Sequence, residues 1–180
     1  MKQVITTIAV LAILLPMSTA MIQQQMHTFR DVSGRFTVDY PSDWKIVELS
    51  EDSQGSSVIF INPNGNGESL NVVIAPEEAR TILTIGLEEY AKMQLDHLLA
   101  VQRNAKIVQN IECKKYQIQG HQTCSNIVSS GLGDELLYLK QVMTTNKQDA
   151  YVFTYGNLVK NFGSDSPLFD KILTTIRFTN

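Results

Sequence analysis

Residues 134–155 read DELLYLKQVMTTNKQDAYVFTY, and this stretch decides the fold class. Leu137 and Leu139 fall on one face of a predicted strand and Tyr138 and Val142 on the other, because successive strand residues point to opposite faces. The next predicted strand repeats this pattern, with Tyr151, Phe153 and Tyr155 alternating with Val152. Apolar groups on both faces predict strands that are covered from both sides in the middle of a domain.

Upstream of this stretch, residues 87–102 predict an amphipathic helix that starts after Gly86. Glu88 suits the positive end of the helix dipole and precedes Lys92 by one helical turn, the spacing of an ion pair. The apolar residues recur every three or four positions: Leu87, Tyr90, Ala91, Leu95, Leu98 and Leu99.

Downstream, the segment SDSPLFDKILTTIRF at 164–178 predicts a second helix. Ser166 is a suitable N-cap, and Pro167 suits the first helical position. The predicted apolar stripe consists of Phe169, Ile172, Leu173 and Ile176.

The remaining chain predicts strands, and the two Asn-Gly steps in NPNGNGES at 62–69 predict a hairpin between two of them. Residues 28–32 are expected to pair with the strand that follows the Ser-Gly turn. The order strands, helix, strands, helix predicts an α+β fold with helices packed on an antiparallel sheet. The predicted strands are RFTVDY, WKIVEL, SSVIFIN, LNVVIA, KIVQNIECKKYQI and QTCSNIVSS.

The segment YPSDW at 40–44 contains the only tryptophan of the chain. Pro41 suits the second position of a tight turn, because its ring presets the backbone torsion that this position needs. Tyr40 and Trp44 flank the turn, so both can face the core. We therefore interpret Tyr40, Pro41 and Trp44 as a structural anchor rather than a ligand platform.

The first twenty residues have the three parts of a secretory signal peptide. Lys2 precedes an apolar run, and Ser18 and Ala20 suit a cleavage site after Ala20. We expect residues 1–20 to be a signal peptide and residues 21–27 a flexible leader. A retained signal anchor is the alternative, because Met21 and Ile22 continue the apolar character.

Residues 28–180 are then a single exported domain in the periplasm or on the outer face of the cytoplasmic membrane. Removal of Lys2 leaves 14 Lys and Arg against 18 Asp and Glu, a formal net charge of −4. Without clustered basic residues, nucleic acid is not an expected partner. No second apolar segment of the sequence is long enough to span a bilayer.

The two cysteines, Cys113 and Cys124, lie in the segment CKKYQIQGHQTC. This segment predicts two strands around a turn near Gly120, with the cysteines opposite each other and at a distance that suits a disulfide. In an oxidising compartment we expect them to be bonded. The alternatives are two unpaired thiols and a metal site with His121, which has too few ligands for zinc.

The hairpin NPNGNGE offers side-chain oxygens at alternating positions, which calcium favours. A calcium loop, however, begins with Asp and carries a Glu at its twelfth position, which here is Val73. The segment therefore predicts a polar turn first and a weak calcium or manganese site second. The candidate ligands are Asn62, Asn64, Asn66 and Glu68. An acidic segment at 48–53 could contribute only if the fold brings it close.

Motifs of hydrolases, metalloproteases, P-loop proteins and dinucleotide-binding proteins are absent from the sequence. The three histidines, His27, His97 and His121, fall in three different predicted elements. We expect no catalytic residues, and a hydrolase is only a third interpretation, after binding of a protein and binding of a small ligand.

Three landmarks resemble PsbP-type domains. GRFTVDYPSDWKI at 34–46 is similar to the opening of these domains, and LEEYAKMQL at 87–95 to their central helix. AYVFTYGN at 150–157 and FDKILTTIRF at 169–178 are similar to their final strand and helix. The resemblance covers residues 28–178 and implies an α-β-α sandwich with a central antiparallel sheet flanked by helices.

The PsbP-type family includes the lumenal extrinsic subunit of photosystem II and many exported prokaryotic proteins without assigned roles. The short signal peptide is typical of an exported prokaryotic member. We expect a non-catalytic domain that binds a protein partner and assembles or stabilises an extracytoplasmic or membrane complex, through loops 48–56 and 62–68. The alternative is a small-ligand or divalent-cation binding protein.

Overall fold

The structure is a computed structural model that describes residues 24–52, 55–64, 67–76, 78–132 and 135–179. The predicted signal peptide lies outside these residues. The elements in chain order are β1 (Met26–Arg30), β2 (Phe36–Pro41), β3 (Lys45–Asp52), β4 (Gly55–Ile61), β5 (Ser69–Ala75), α1 (Glu78–Ile85), α2 (Leu87–Val101), β6 (Lys106–Ile118), β7 (His121–Leu132), β8 (Glu135–Asn146), β9 (Asp149–Leu158), α3 (Val159–Thr175) and β10 (Arg177–Phe178).

The strands of the described residues form two sheets. The large sheet has seven strands in the order β3-β4-β5-β9-β8-β7-β6, and the small sheet has three in the order β1-β2-β10. All neighbouring strands run antiparallel, so the predicted antiparallel sheet is confirmed. Strands β3 and β6 are the two edges of the large sheet.

Strand β9 lies in the middle of the large sheet and is buried on both faces. The Tyr155 ring stacks on Phe169 of α3, with centroids 5.3 Å apart. Val152 instead belongs to a second cluster with Ala91 of α2. Because alternate strand residues point to opposite faces, α3 and α2 contact opposite faces of β9. The two-faced burial predicted for this strand is confirmed.

The small sheet packs on the face that α3 also contacts. Phe36 and Val38 of β2 are fully buried in the main core. The Phe36 ring meets Tyr151 of β9 edge to face, with centroids 6.2 Å apart. Strand β1 pairs with β2 as predicted, but it begins at Met26, inside the predicted leader, which ends at His27.

The YPSDW segment forms a turn between β2 and β3. The Trp44 backbone N–H donates to the Pro41 carbonyl at 3.0 Å, so Pro41 occupies the first position of the turn and not the predicted second one. Pro41 can end β2 because its only backbone hydrogen-bonding group is an acceptor. The Trp44 side chain is 5% exposed in the main core, and the Tyr40 ring lies 5.0 Å from that of Phe60.

Helix α2 has the predicted start after Gly86 and ends at Val101, one residue earlier than predicted. The predicted Glu88–Lys92 ion pair is present at 3.6 Å. Helix α1, which the sequence did not predict, precedes α2 and buries Ala79 and Ile82. Among the described residues, no helix is long and apolar enough to cross a membrane.

The prediction for the start of the last helix is wrong. Helix α3 begins at Val159, with Ser166 and Pro167 inside it. Phe162 stands seven residues before Phe169, about two helical turns, and both side chains are buried in the main core. Burial of Phe162 outweighs the backbone hydrogen bond that Pro167 removes from the helix interior.

Candidate functional site

A buried polar cluster connects the β4–β5 loop with β9 and α3. The Tyr155 hydroxyl donates to Glu68 Oε1 at 2.8 Å and accepts a hydrogen bond from Asn157 Nδ2 at 3.1 Å. Asn157 Nδ2 also donates to Asp165 Oδ2 at 2.9 Å. Two carboxylates are therefore linked through one phenol and one amide. Glu68 is only 6% exposed and Asn157 is fully buried.

The β4–β5 hairpin places Glu68 in this cluster. The backbone N–H of Asn62 donates to the Glu68 carbonyl at 3.0 Å and closes the loop. Gly67 has a φ of +70°, which favours glycine, and a Cβ at this position would lie 3.3 Å from Leu137 Cδ2. The loop therefore needs the backbone freedom of Gly67, and a larger residue there would also have to displace the Leu137 side chain.

Two of the candidate metal ligands of this hairpin, Asn62 and Glu68, use their side chains in hydrogen bonds within the protein. Asn62 Nδ2 donates to Glu68 Oε2 at 2.7 Å, while Asn62 Oδ1 accepts from the Asn64 backbone N–H at 3.0 Å. The second bond fixes the orientation of the Asn62 amide, so its N–H group faces Glu68. Asn66 lies outside the described residues. Within the described residues, no three His, Cys, Asp or Glu side chains are grouped to hold a metal ion.

Burial keeps the Tyr155 hydroxyl protonated. Removal from water, followed by the hydrogen bond with Glu68, raises the pKa of Tyr155 far above its ordinary value of 10.0. The hydroxyl therefore remains a hydrogen-bond donor at any physiological pH. Glu68 forms no ion pair with any described residue, so neutral donors alone surround its carboxylate.

Residues 48–52 of the acidic segment run away from the Asn-rich loop 62–68. They belong to strand β3, where Glu48 pairs with Val58 in the middle of β4 and Asp52 pairs with Gly55 at its first residue. The loop 62–68 follows Ile61, at the other end of β4. The prediction of a loop over 48–56 is therefore wrong for residues 48–52 and 55–56, which lie in β3 and β4.

The predicted disulfide between Cys113 and Cys124 is confirmed. The two residues are directly opposite each other in β6 and β7, as the hairpin pattern indicated. Cys124 is fully buried in the cluster that contains Ala91 of α2, and Cys113 packs against the same cluster. The bond thus joins the edge of the sheet to the layer beneath α2.

On the α2 side of the large sheet, α1 and α2 pack on β6, β7 and β9. No helix of the described residues packs closely on β3 and β4 on this side. Val47 of β3 and Ile61 of β4 are 41% and 39% exposed, and Ile59 is half-buried. We call Val47, Ile59 and Ile61 the open face.

The strand register places the open face on the α2 side of the sheet. Val47 pairs with Ile59, Ile59 with Asn71, and Asn71 with Thr154. Thr154 is two residues from Val152, which packs on α2, so the side chains along this row share one face. The open face lies next to β3, whose outer edge pairs with no strand of the described residues.

Sequence reasoning identified Asn62 and Glu68 as polar candidates but missed Tyr155, Asn157 and Asp165 as their partners. Asn157 carried a signal, since it follows Tyr151, Phe153 and Tyr155 on the apolar face of β9. A lone amide on such a face needs a hydrogen-bond partner.

Comparison with solved structures identifies the same fold in other proteins. The solution structure of cyanobacterial PsbP (CyanoP) from Synechocystis sp. PCC 6803 matches with a TM-score of 0.66 and 18% identity, covering 87% of this chain and 94% of that one. The protein of unknown function PA94 from Pseudomonas aeruginosa matches with a TM-score of 0.52 and 13% identity, covering 86% and 98%.

A third match is LpqN of Mycobacterium tuberculosis, a protein involved in cell envelope biogenesis, with a TM-score of 0.51 and 11% identity over 87% of this chain and 91% of LpqN. No curated protein matches the sequence. The model of the PsbP family matches residues 24–178, nearly the whole described chain. The chain therefore belongs to the PsbP family.

Proposed function

We propose that this chain is an exported, non-catalytic PsbP-like domain that binds a protein and helps to assemble or stabilise an extracytoplasmic or membrane complex. The observation that carries this proposal is the open face beside the free edge of β3. Apolar side chains at 41% and 39% exposure stand next to backbone groups that pair with no described strand. A strand from a partner protein would pair with these backbone groups and place its own apolar side chains beside Val47.

The partner in this proposal presents an extended, apolar segment that adds to β3 as an eighth strand of the large sheet. Main-chain hydrogen bonds would give such a complex its affinity, and alternate side chains would select the segment. One face of the added strand would continue the row of Val47 and Ile59. The large sheet, between α3 on one side and α1 and α2 on the other, would act as a rigid α-β-α sandwich that presents this edge.

Export is supported by the disulfide and by the sequence of residues 1–20. Disulfides persist in oxidising compartments outside the cytoplasm. The fold is also that of LpqN, which is involved in cell envelope biogenesis. An extracytoplasmic position would bring the open face to the envelope or membrane complexes that the proposal requires.

Site-specific photo-crosslinking in intact cells tests the proposal. A crosslinking amino acid at Val47 is expected to capture one reproducible protein. The same amino acid at Leu83, an 85% exposed residue of α1, is the matched control and is expected to capture none. Equal capture at both positions, or none at Val47, would overturn the proposal.

The substitution Val47→Glu gives a second readout, because a charge on the open face opposes burial by an apolar segment. We expect Val47→Glu to abolish co-purification with the partner, while Leu83→Glu leaves it unchanged. Retention of the partner by Val47→Glu would exclude the open face as its binding surface.

A second candidate function is binding of a divalent cation at the β4–β5 hairpin. The observation that favours it is the Glu68 carboxylate, which is buried and faces only neutral donors among the described residues. A calcium or manganese ion would supply the missing positive charge.

Titration calorimetry with calcium and with manganese tests the cation candidate. Binding heat is expected from the unchanged protein and from a Leu83→Ala control, but not from the double variant Asn64→Ala, Glu68→Ala. Flat titrations of the unchanged protein would exclude this function.

A further inference from the structure

We propose that the Cys113–Cys124 disulfide is a redox-responsive clamp. Reduction by a dithiol of the thioredoxin type would release residues 106–113 of edge strand β6 and loosen α2, while the rest of the large sheet stays folded. This inference concerns the state of the domain and does not depend on the identity of its partner.

The clamp lies where the sheet is paired least regularly. The register between β6 and β7 shifts between Gln109 and Glu112 and again between Cys113 and Gln117. Between these two irregularities, only Glu112 and Cys113 have direct partners in β7. The covalent bond therefore lies in a short part of β6 that has an irregularity on each side. Strand β6 is also an edge and has no second neighbour among the described strands.

The disulfide also contributes to the packing beneath α2. Cys124 forms a small cluster with Ala91, Met143 and Val152, against which Ile111 of β6 packs. Ile111 further contacts the cluster of Leu95, Leu98 and Val128. Displacement of β6 would therefore remove contacts from two clusters beneath the same helix.

The main core contains neither cysteine. Strand β6 contributes one buried residue to it, Ile118, which lies five positions beyond Cys113 at the end of the strand. The large buried side chains of the main core, including Phe60, Phe153 and Phe169, lie on the opposite face of the sheet. Loss of the disulfide therefore leaves these contacts in place, and the expected opening is local.

The two cysteines differ in exposure. Cys124 is fully buried, whereas Cys113 is partly exposed. A thiolate of the dithiol would attack the sulfur of Cys113, form a mixed disulfide with it, and displace Cys124 as a thiolate that takes up a proton. The second thiol of the dithiol would then release Cys113. The protein gains two thiols, and the dithiol becomes a disulfide.

Hydrogen exchange measured by mass spectrometry on the whole protein tests the clamp. After reduction by thioredoxin, amide exchange in residues 106–113 and in α2 is expected to rise by about tenfold or more, while exchange in β5 and β9 changes by less than about twofold. The double variant Cys113→Ala, Cys124→Ala should show the fast pattern with or without reductant.

Three results would overturn the proposal that the disulfide is a redox-responsive clamp. Thioredoxin could fail to reduce the folded protein, which would make the bond purely structural. Exchange could stay the same after reduction, which would show that packing alone keeps β6 and α2 in place. Exchange could rise throughout β5 and β9, which would show that reduction unfolds the whole domain.

Discussion

Among single residues, Tyr155 has the central place in the buried polar cluster through its hydroxyl. It donates to Glu68 and accepts from Asn157, so it satisfies groups on the hairpin loop and on its own strand. A buried carboxylate that loses a donor retains the cost of its removal from water. The cluster therefore fixes the β4–β5 loop on the sheet for as long as this hydroxyl is present.

Substitution of Tyr155 by Phe removes the hydroxyl and keeps the ring on Phe169. We expect the free energy of unfolding to fall by about 1–3 kcal/mol, because Glu68 Oε1 loses its donor. Urea denaturation measures the change. Tyr138→Phe is the control, since the Tyr138 ring meets Phe162 but its hydroxyl has no hydrogen bond with the described residues. Equal losses in both variants would contradict the role of the cluster.

Alkaline pH tests the burial of the tyrosines. Burial, followed by the Glu78 carboxylate, raises the pKa of Tyr90 from 10.0 to about 12. Above pH 10 the unfolded chain loses the Tyr90 proton while the folded chain keeps it, so stability is complete below pH 10 and falls as pH rises toward 12. Urea midpoints between pH 9 and about pH 11.5 should fall, and less steeply in Tyr90→Phe. Identical slopes in that variant would contradict the burial.

The sequence indicated Asn62 and Glu68 as a polar pair but not the surroundings of that pair. Their spacing of six residues is local, and a hairpin signal predicts it. Tyr155 lies 87 residues from Glu68 along the chain, and no local pattern connects them. Only the pairing of β5 with β9 brings the two side chains together.

At the element scale, helix α3 shows how a strong local signal can mislead. Ser166 and Pro167 are good helix-start residues, and the sequence pattern placed the start there. The true stripe begins with Phe162, which lies on the other side of Gly163. Glycine and proline inside the segment weakened the helical signal, while burial of Phe162 in the main core decided the structure.

Substitution of Gly163 by Ala tests the start of α3. Gly163 lies in the helix interior, and an added Cβ would meet no atom within 4 Å. We expect a gain of about 0.5–1 kcal/mol in the free energy of unfolding, because alanine loses less backbone entropy in a helix. Gly67→Ala, at a φ of +70° and 3.3 Å from Leu137, should instead lose stability. A loss in Gly163→Ala would favour a helix that begins at Ser166.

Short elements were the ones that the sequence did not reveal. Helix α1 has eight residues and buries only Ala79 and Ile82, too few for a periodic pattern. Strand β10 has two residues and exists because Phe178 pairs with Phe36 at the other end of the chain. The long strands β6 to β9, in contrast, were predicted from alternation and turn residues alone.

At the scale of the whole molecule, stability is concentrated around β9. Phe153 is fully buried in the main core, while Val47 on the open face is 41% exposed. The two-faced pattern of residues 134–155 predicted this central burial. The open face could not be predicted, because it depends on where α1 and α2 pack across the other strands.

We expect alanine substitutions to lower the free energy of unfolding more at the buried Phe153 than at Val47 on the open face. Phe153→Ala is expected to cost about 3–5 kcal/mol, since it leaves a large cavity in the core. Val47→Ala is expected to cost less than about 1 kcal/mol. Chemical denaturation of both variants measures the difference, and similar costs would indicate that the open face is covered in the folded protein.

Nuclear Overhauser contacts in the isotope-labelled protein test directly which helix packs on each face of β9, because they report which side chains approach each other. We predict contacts between the Val152 methyl groups and the Ala91 methyl group of α2, and between the rings of Tyr155 and Phe169 of α3. Contacts from both Val152 and Tyr155 to the same helix, or from neither to any helix, would contradict a sheet that is buried between helices.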